Sequence, residues 1–210
     1  MRARNILGRT QKQITLRELF LHRMERQRGT KIIQKIIQIT LLDLILIGVP
    51  LIYFYTKNHS IKKSFQELGI KKINRKNLII KSIKLTATLI AIAFIISIIS
   101  FFFGVNDLNK VTETVKQISI ISPILLLYYM TIRVFSEEIF FRGFLVKKTG
   151  VLFSSLIFGL AHFMYGSLIE VIGAFAAGLF LAYFFQKNNN LIPNIIGHMA
   201  YNTITLFLVF

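Results

Sequence analysis

The feature that most constrains this chain is a succession of apolar stretches, at 36–55, 85–104, 118–135, 152–165, 168–185 and 191–210. About 20 apolar residues in a helix cross roughly 30 Å of hydrocarbon. Inside that layer every backbone N–H and C=O must find its partner within the protein. The pattern therefore predicts an all-α, polytopic transmembrane helical bundle with about six membrane segments. The stretch at 152–165 is short for a crossing, which suits a helix that is tilted, lengthened by its neighbours or shielded by protein. With 54% hydrophobic and only 17% charged residues, the chain is too apolar for a soluble domain.

The charge is uneven. Lys and Arg number 26 against 9 Asp and Glu, and they gather in two blocks, 1–35 and 57–81. Such blocks beside apolar segments mark topology and contact with anionic lipid headgroups. No nucleic-acid motif accompanies them, so no nucleic-acid partner is expected. The 57–81 block sets eight Lys or Arg against Glu67 alone and belongs in the cytoplasm by the positive-inside rule. Two further crossings return Arg142, Lys147 and Lys148 to the same side. The tail is equally basic, and one crossing cannot leave both blocks on one side. Either the tail is outside or the first segment is not a simple crossing. Three regions follow: a basic tail at 1–35, with a short amphipathic pattern of Leu16, Phe20 and Met24; N-terminal membrane segments with a basic loop at 36–117; and a membrane domain at 118–210. Cysteine is absent, which excludes disulfides, thiolate metal sites and a cysteine nucleophile.

Charge is most costly in the run FSEEIFFRGF at 135–144. Glu138 and Arg142 are four apart with the acid first, the favourable order for a helical ion pair. Glu137 points about 100° away. Its cation one turn off is Arg133, in the weaker order. A glutamate whose pairing is not secured in apolar surroundings is placed to act as a general acid or base. The plainer reading of the cluster is a pair of juxtamembrane salt bridges. Two of the four histidines, His162 and His198, fall inside apolar helices. Phe158 lies one turn before His162, and Asn194, His198 and Asn202 make a polar stripe that is expected to face the bundle interior. Singly, each histidine reads as an interhelical hydrogen bonder. Together with the carboxylates they supply what peptide hydrolysis needs: a carboxylate and an imidazole to activate water, and a second imidazole with an amide for the oxyanion.

A serine mechanism fits less well, because Ser136, Ser154 and Ser155 lack an elbow motif and no separate acid evidently orients either histidine. Two His and one Glu would also suit catalytic zinc, although HExxH is missing; the metal-free reading stands ahead of it. Asp43 and Glu170 are isolated acids with an expected structural or interfacial role. The small residues Gly173 with Ala177, and Ala174 with Gly178 and Ala182, read as helix packing. Residues 188–190 read as a turn before the last helix, with Pro193 in its first turn.

EEIFFR at 137–142 fits EExxxR, FGLAH at 158–162 fits FxxxH and HMAYN at 198–202 fits HxxxN. In that order on membrane helices, over about 118–208, they resemble the CPBP family of CAAX proteases and bacteriocin-processing enzymes, also called Abi or type II CAAX endopeptidases. The resemblance implies an intramembrane endopeptidase with its cavity between the four C-terminal segments. Glu137 and His162 would activate water, His198 and Asn202 would hold the oxyanion, and Glu138 and Arg142 would support that geometry. The family is often labelled metalloprotease, so zinc is the alternative to an enzyme without a cofactor. Its bacterial members imply a membrane peptide or protein as substrate, in bacteriocin maturation or self-immunity, and the Lys, Ile and Asn richness disfavours a prenylated one. A multi-pass bacterial cell-membrane protein is expected, with its site toward the cytoplasm. The rival readings are a non-catalytic bacteriocin-immunity or binding protein of the same fold and a proton-coupled transporter.

Overall fold

The computed structural model describes the backbone of residues 2–105 and 107–209, and the side chains from Glu18 onward except at 22, 24–33, 35, 121 and 209. These residues form helices and connecting turns, with no strand among them, as the apolar periodicity requires. Helix α1 is Arg2–Asn58, α2 is Ile61–Glu67, α3 is Arg75–Phe102 and α4 is Asn109–Ile121. The chain divides into two compact units, Met1–Leu42 and Asp43–Phe210. The first is helical, and its Thr40 hydroxyl donates to the carbonyl of Ile36. Of the amphipathic pattern expected there, Phe20 is exposed, and the side chains of Leu16 and Met24 lie outside the described ones.

Four stretches are long and apolar enough to cross a membrane: Ile36–Asn58, Arg75–Phe102, Pro123–Tyr165 and Leu168–Asn188. The third joins two of the expected segments, yet it does not run straight. Gly150 adopts φ 83° and ψ 176°, a conformation open to glycine and strained for other residues. The Ser154 hydroxyl then donates to the carbonyl of Phe141, 2.7 Å away. A continuous helix would hold those two residues roughly 20 Å apart. The chain therefore reverses at Gly150. We label 123–149 as α5, the returning helix 151–161 as α6, Leu168–Asn188 as α7 and Ile192–Val209 as α8. Helix α8 is 18 residues long, and its hydropathy is diluted by Asn194, His198 and Asn202, so it does not join the four.

Small residues set the spacing of the helices. A Cβ on Gly159 would come within 2.8 Å of the Phe175 Cβ, and one on Gly178 within 3.1 Å of the Phe158 ring. This is the close approach that replaces hydrophobic driving force between membrane helices. Of the small-residue stripes, Ala174, Gly178 and Ala182 are buried, whereas Gly173 meets nothing. Helix α6 is only half shielded: Ser154, Ser155, Phe158 and Gly159 are buried, while Leu152, Phe153 and Leu160 are open. Helix α8 is locked to α3 by the Thr86 hydroxyl on the carbonyl of Gly197 at 3.0 Å. There Gly197 leaves room for Leu85, whose Cδ2 a Cβ would meet at 2.5 Å. At the end near α2, the Leu191 N–H donates to the carbonyl of Gly69 at 2.8 Å, so the turn before α8 is fixed before the helix begins. Large apolar side chains such as Phe94, Phe101, Ile124 and Phe163 remain exposed, as a surface facing acyl chains requires.

Candidate active site

Helix α5 is not regular. Wide π-helical turns at Tyr129–Arg133 and Glu138–Leu145 flank a four-residue α-helical piece, Val134–Glu137. Such turns are uncommon and concentrate at functional sites, because they re-aim side chains on an otherwise rigid rod. Here they set two neighbouring carboxylates in different surroundings.

Glu138 is 0% exposed and Arg142 is 1% exposed. Arg142 Nη1 lies 3.3 Å from Glu138 Oε1, the pair expected from their spacing. The same oxygen accepts from His198 Nδ1 at 2.9 Å. An acid does therefore orient a histidine, contrary to the expectation from sequence, where 60 residues separate the partners. The guanidinium also lies 3.9 Å from the centroid of the Phe158 ring, a cation–π contact in a water-poor setting. With Nδ1 held by the carboxylate, His198 presents Nε2 to whatever lies beyond the cluster.

Glu137 is 9% exposed and is not left unpaired. Arg133 Nε donates to its Oε1 at 2.8 Å, while Nη1 of the same guanidinium reaches Oδ1 of Asp43 at 2.9 Å. Asp43, 3% exposed, also accepts from the Ser136 hydroxyl and the Tyr128 phenol, each at 2.6 Å. One guanidinium is thus shared by two carboxylates. Asp43 collects two further donors, whereas Glu137 keeps Oε2 free of hydrogen bonds to the described residues. Sequence reasoning set Asp43 aside as an isolated acid. The signal present was a lone carboxylate inside an apolar segment, which in hydrocarbon calls for a named partner.

His162 follows α6, in the 3₁₀ turn His162–Tyr165. Its Nδ1 lies 2.8 Å from the carbonyl of Phe158. A carbonyl only accepts, so Nδ1 carries the hydrogen and Nε2 holds the lone pair of the neutral ring. Phe158 packs against both histidines, with ring centroids 4.7 Å from His162 and 6.2 Å from His198, and so joins the two motifs to Arg142. Tyr165 stacks on His162 at 6.0 Å and lies in the field of Glu137 and Glu170. The other isolated acid, Glu170, also feels His162. Asn202 stands one turn beyond His198 and is partly exposed. Asn194 is fully buried, and its amide donates to the carbonyl of Leu181 at 2.9 Å, tying α8 to α7. The three serines weighed as nucleophiles are engaged elsewhere: Ser136 bonds Asp43, Ser154 bonds the carbonyl of Phe141 and Ser155 that of Val151.

Among the described residues, no three His, Asp or Glu side chains gather closely enough to hold a metal ion. The zinc set drawn from Glu137, His162 and His198 is therefore not assembled in this arrangement, and His198 Nδ1 is occupied by Glu138.

The family model described as Type II CAAX prenyl endopeptidase Rce1-like matches residues 119–204. That range holds all three motifs and runs from the end of α4 through α5, α6 and α7 to Ile204 in α8. No curated protein and no solved structure matches the chain. Residues 119–204 of this chain are thus similar to the type II CAAX prenyl endopeptidase Rce1-like family, in line with the resemblance carried by the three motifs.

Proposed function

We propose that the protein is an intramembrane endopeptidase that uses activated water and no covalent enzyme intermediate. One observation carries this reading. The His198 imidazole is gripped at Nδ1 by Glu138 while the neighbouring Glu137 keeps an oxygen uncommitted, so one carboxylate orients and the other is available for proton transfer. Glu137 Oε2, together with His162 Nε2, takes a proton from water as its oxygen attacks the peptide carbonyl. The oxyanion that forms accepts from the Asn202 amide and from His198 Nε2–H, a donor that exists only when the ring carries both protons, because Nδ1 already donates to Glu138. The proton held by Glu137 passes to the leaving amine as the C–N bond breaks. Arg133 offsets the charge of Glu137 before the step without occupying both oxygens.

The substrate class is a membrane-associated peptide or protein, within the bacterial cell membrane, in bacteriocin maturation or self-immunity. The basic loop at 57–81 supports a cytoplasmic position for the end of α5 that bears Lys147 and Lys148. The test compares new protein termini in membranes of cells expressing wild type and Glu137→Gln at equal levels. Termini that depend on Glu137 are expected. Identical profiles with both proteins inserted would overturn the enzyme in favour of a binding role.

A further inference from the structure

Away from Glu137 and Glu138, where α5 ends, five separate parts of the chain line an open polar groove of about 520 Å³ at the surface. Lys63 and Glu67 come from α2, Lys71 from the connection to α3, Lys147 from the end of α5 and Asn189 from the turn before α8. Asn58, the last residue of α1, completes the lining.

The charges of this groove do not cancel. Three ammonium groups face one carboxylate, and the ion pairs among the described residues involve only Asp43, Glu137 and Glu138. The Lys147 ammonium donates to the backbone carbonyl of Glu67 rather than to its carboxylate. Lys71 and Lys147 lie close enough to repel each other. Asn58 adds a second, independent sign. Its Nδ2 is buried and has no hydrogen-bond partner, a costly state for an amide donor that a phosphate oxygen answers once the Asn58 side chain turns toward the groove. Positive charge and an unanswered N–H together specify an oxyanion ligand.

The position selects the source of that anion. The first candidate span ends at Asn58, α5 reverses just beyond Lys147, and Asn189 immediately follows the span Leu168–Asn188. These three points mark the level where helices leave hydrocarbon and lipid phosphates lie. We propose that this groove is a binding site for the phosphate group of an anionic phospholipid, held by Lys63, Lys71, Lys147 and the Asn58 amide. The bound headgroup neutralises the paired lysines and ties α2 to the ends of α5 and α7. The site is independent of the proteolytic reading.

The test uses the full chain in neutral detergent, with phosphatidylglycerol, phosphatidylcholine and inorganic phosphate as probes. Native mass spectrometry reads lipid retained, and the thermal midpoint reads stabilisation. Lys63→Gln/Lys71→Gln/Lys147→Gln is expected to lower phosphatidylglycerol retention by about tenfold or more and to abolish the rise in midpoint it produces. Arg75→Gln/Lys76→Gln/Lys84→Gln removes equal charge elsewhere and is expected to retain both. Equal loss in the two triple variants, or equal retention of phosphatidylcholine by wild type, overturns a built site. A midpoint rise from inorganic phosphate as large as that from the lipid overturns the lipid source. Should the groove triple fail to fold, Asn58→Asp sets a carboxylate in place of the amide donor. Undiminished retention in that variant overturns the proposal.

Discussion

Glu137 and Glu138 are adjacent in the chain and opposite in circumstance. Glu138 shares one oxygen between Arg142 and His198 and is sealed from solvent. Glu137 shares its guanidinium with a second carboxylate and keeps one oxygen uncommitted. A buried ion pair costs several kcal/mol of desolvation and adds little net stability, but losing one partner leaves an uncompensated charge. Adjacent acids therefore differ by environment: Glu138 is committed to holding a shape, and Glu137 keeps an oxygen for a further partner.

That division can be broken most sharply at the two ends. Glu137→Gln and His162→Ala are each expected to lower cleavage about 10²–10⁴-fold, with the thermal midpoint near that of wild type. Turnover against a membrane peptide identified from the terminus comparison checks this. Retained turnover in both variants removes Glu137 from the chemistry. Arg142→Gln is expected to do the reverse, destabilising the fold by about 3–5 kcal/mol because Glu138 is left buried and underpaired. Denaturant titration in detergent measures it. A variant as stable as wild type but inactive would make the two acids alike.

Asp43 sharpens the same contrast from the other side. Asp43→Asn leaves Arg133 to Glu137 alone, and cleavage is expected to fall about tenfold through turnover rather than KM, with partial recovery in Asp43→Glu. An unchanged rate would show that sharing the guanidinium is immaterial. Gly159→Ala adds a methyl where the Phe175 Cβ stands 2.8 Å away. It is expected to cost about 1–3 kcal/mol and to lower activity only as far as α6 shifts, read from thermal midpoint and rate together.

The smallest effect is expected outside the membrane. Asp107 accepts from the Ser167 hydroxyl at 2.7 Å and from the backbone N–H groups of Leu168 and Ile169. The Ser167 bond first, then those N–H groups and nearby Lys110, hold its carboxyl below the ordinary aspartate range. A depressed acid contributes stability that is complete above its ordinary value and is lost as pH falls through the folded one. The thermal midpoint should therefore decline slightly further on acidification in wild type than in Asp107→Asn. Parallel pH profiles of the two would discount this contact.

Residues close in sequence were the legible ones. The apolar runs announce helices, and Glu138 with Arg142 announces an ion pair, because both are set by one helix's own geometry. Glu138 with His198 and Asp43 with Arg133 are 60 and 90 residues apart, and nothing local encodes which helices meet. Asn194 shows the same limit. Its spacing from His198 implied a stripe facing the interior, and both are buried, but its bond to the carbonyl of Leu181 on another helix was not legible. The π turns and the reversal at Gly150 were also hidden, since a glycine and a run of aromatics are equally at home in an ordinary helix.

The reversal at Gly150 also works as a depth gauge. On the positive-inside reading, Lys147 and Lys148 put that corner at the membrane boundary. Counting back from it, Glu137 is thirteen residues along α5; counting forward, His162 is twelve residues along the returning path. At about 1.5 Å per residue, and less through the wide π turn of α5, both arrive roughly 15–18 Å from the corner, near the middle of a hydrocarbon layer about 30 Å thick. Under the proposed chemistry, a scissile bond must then be presented near the centre of the bilayer. A substrate helix has its carbonyls already bonded there, so it must uncoil locally before it is cut, and the ease of uncoiling becomes part of what the enzyme selects.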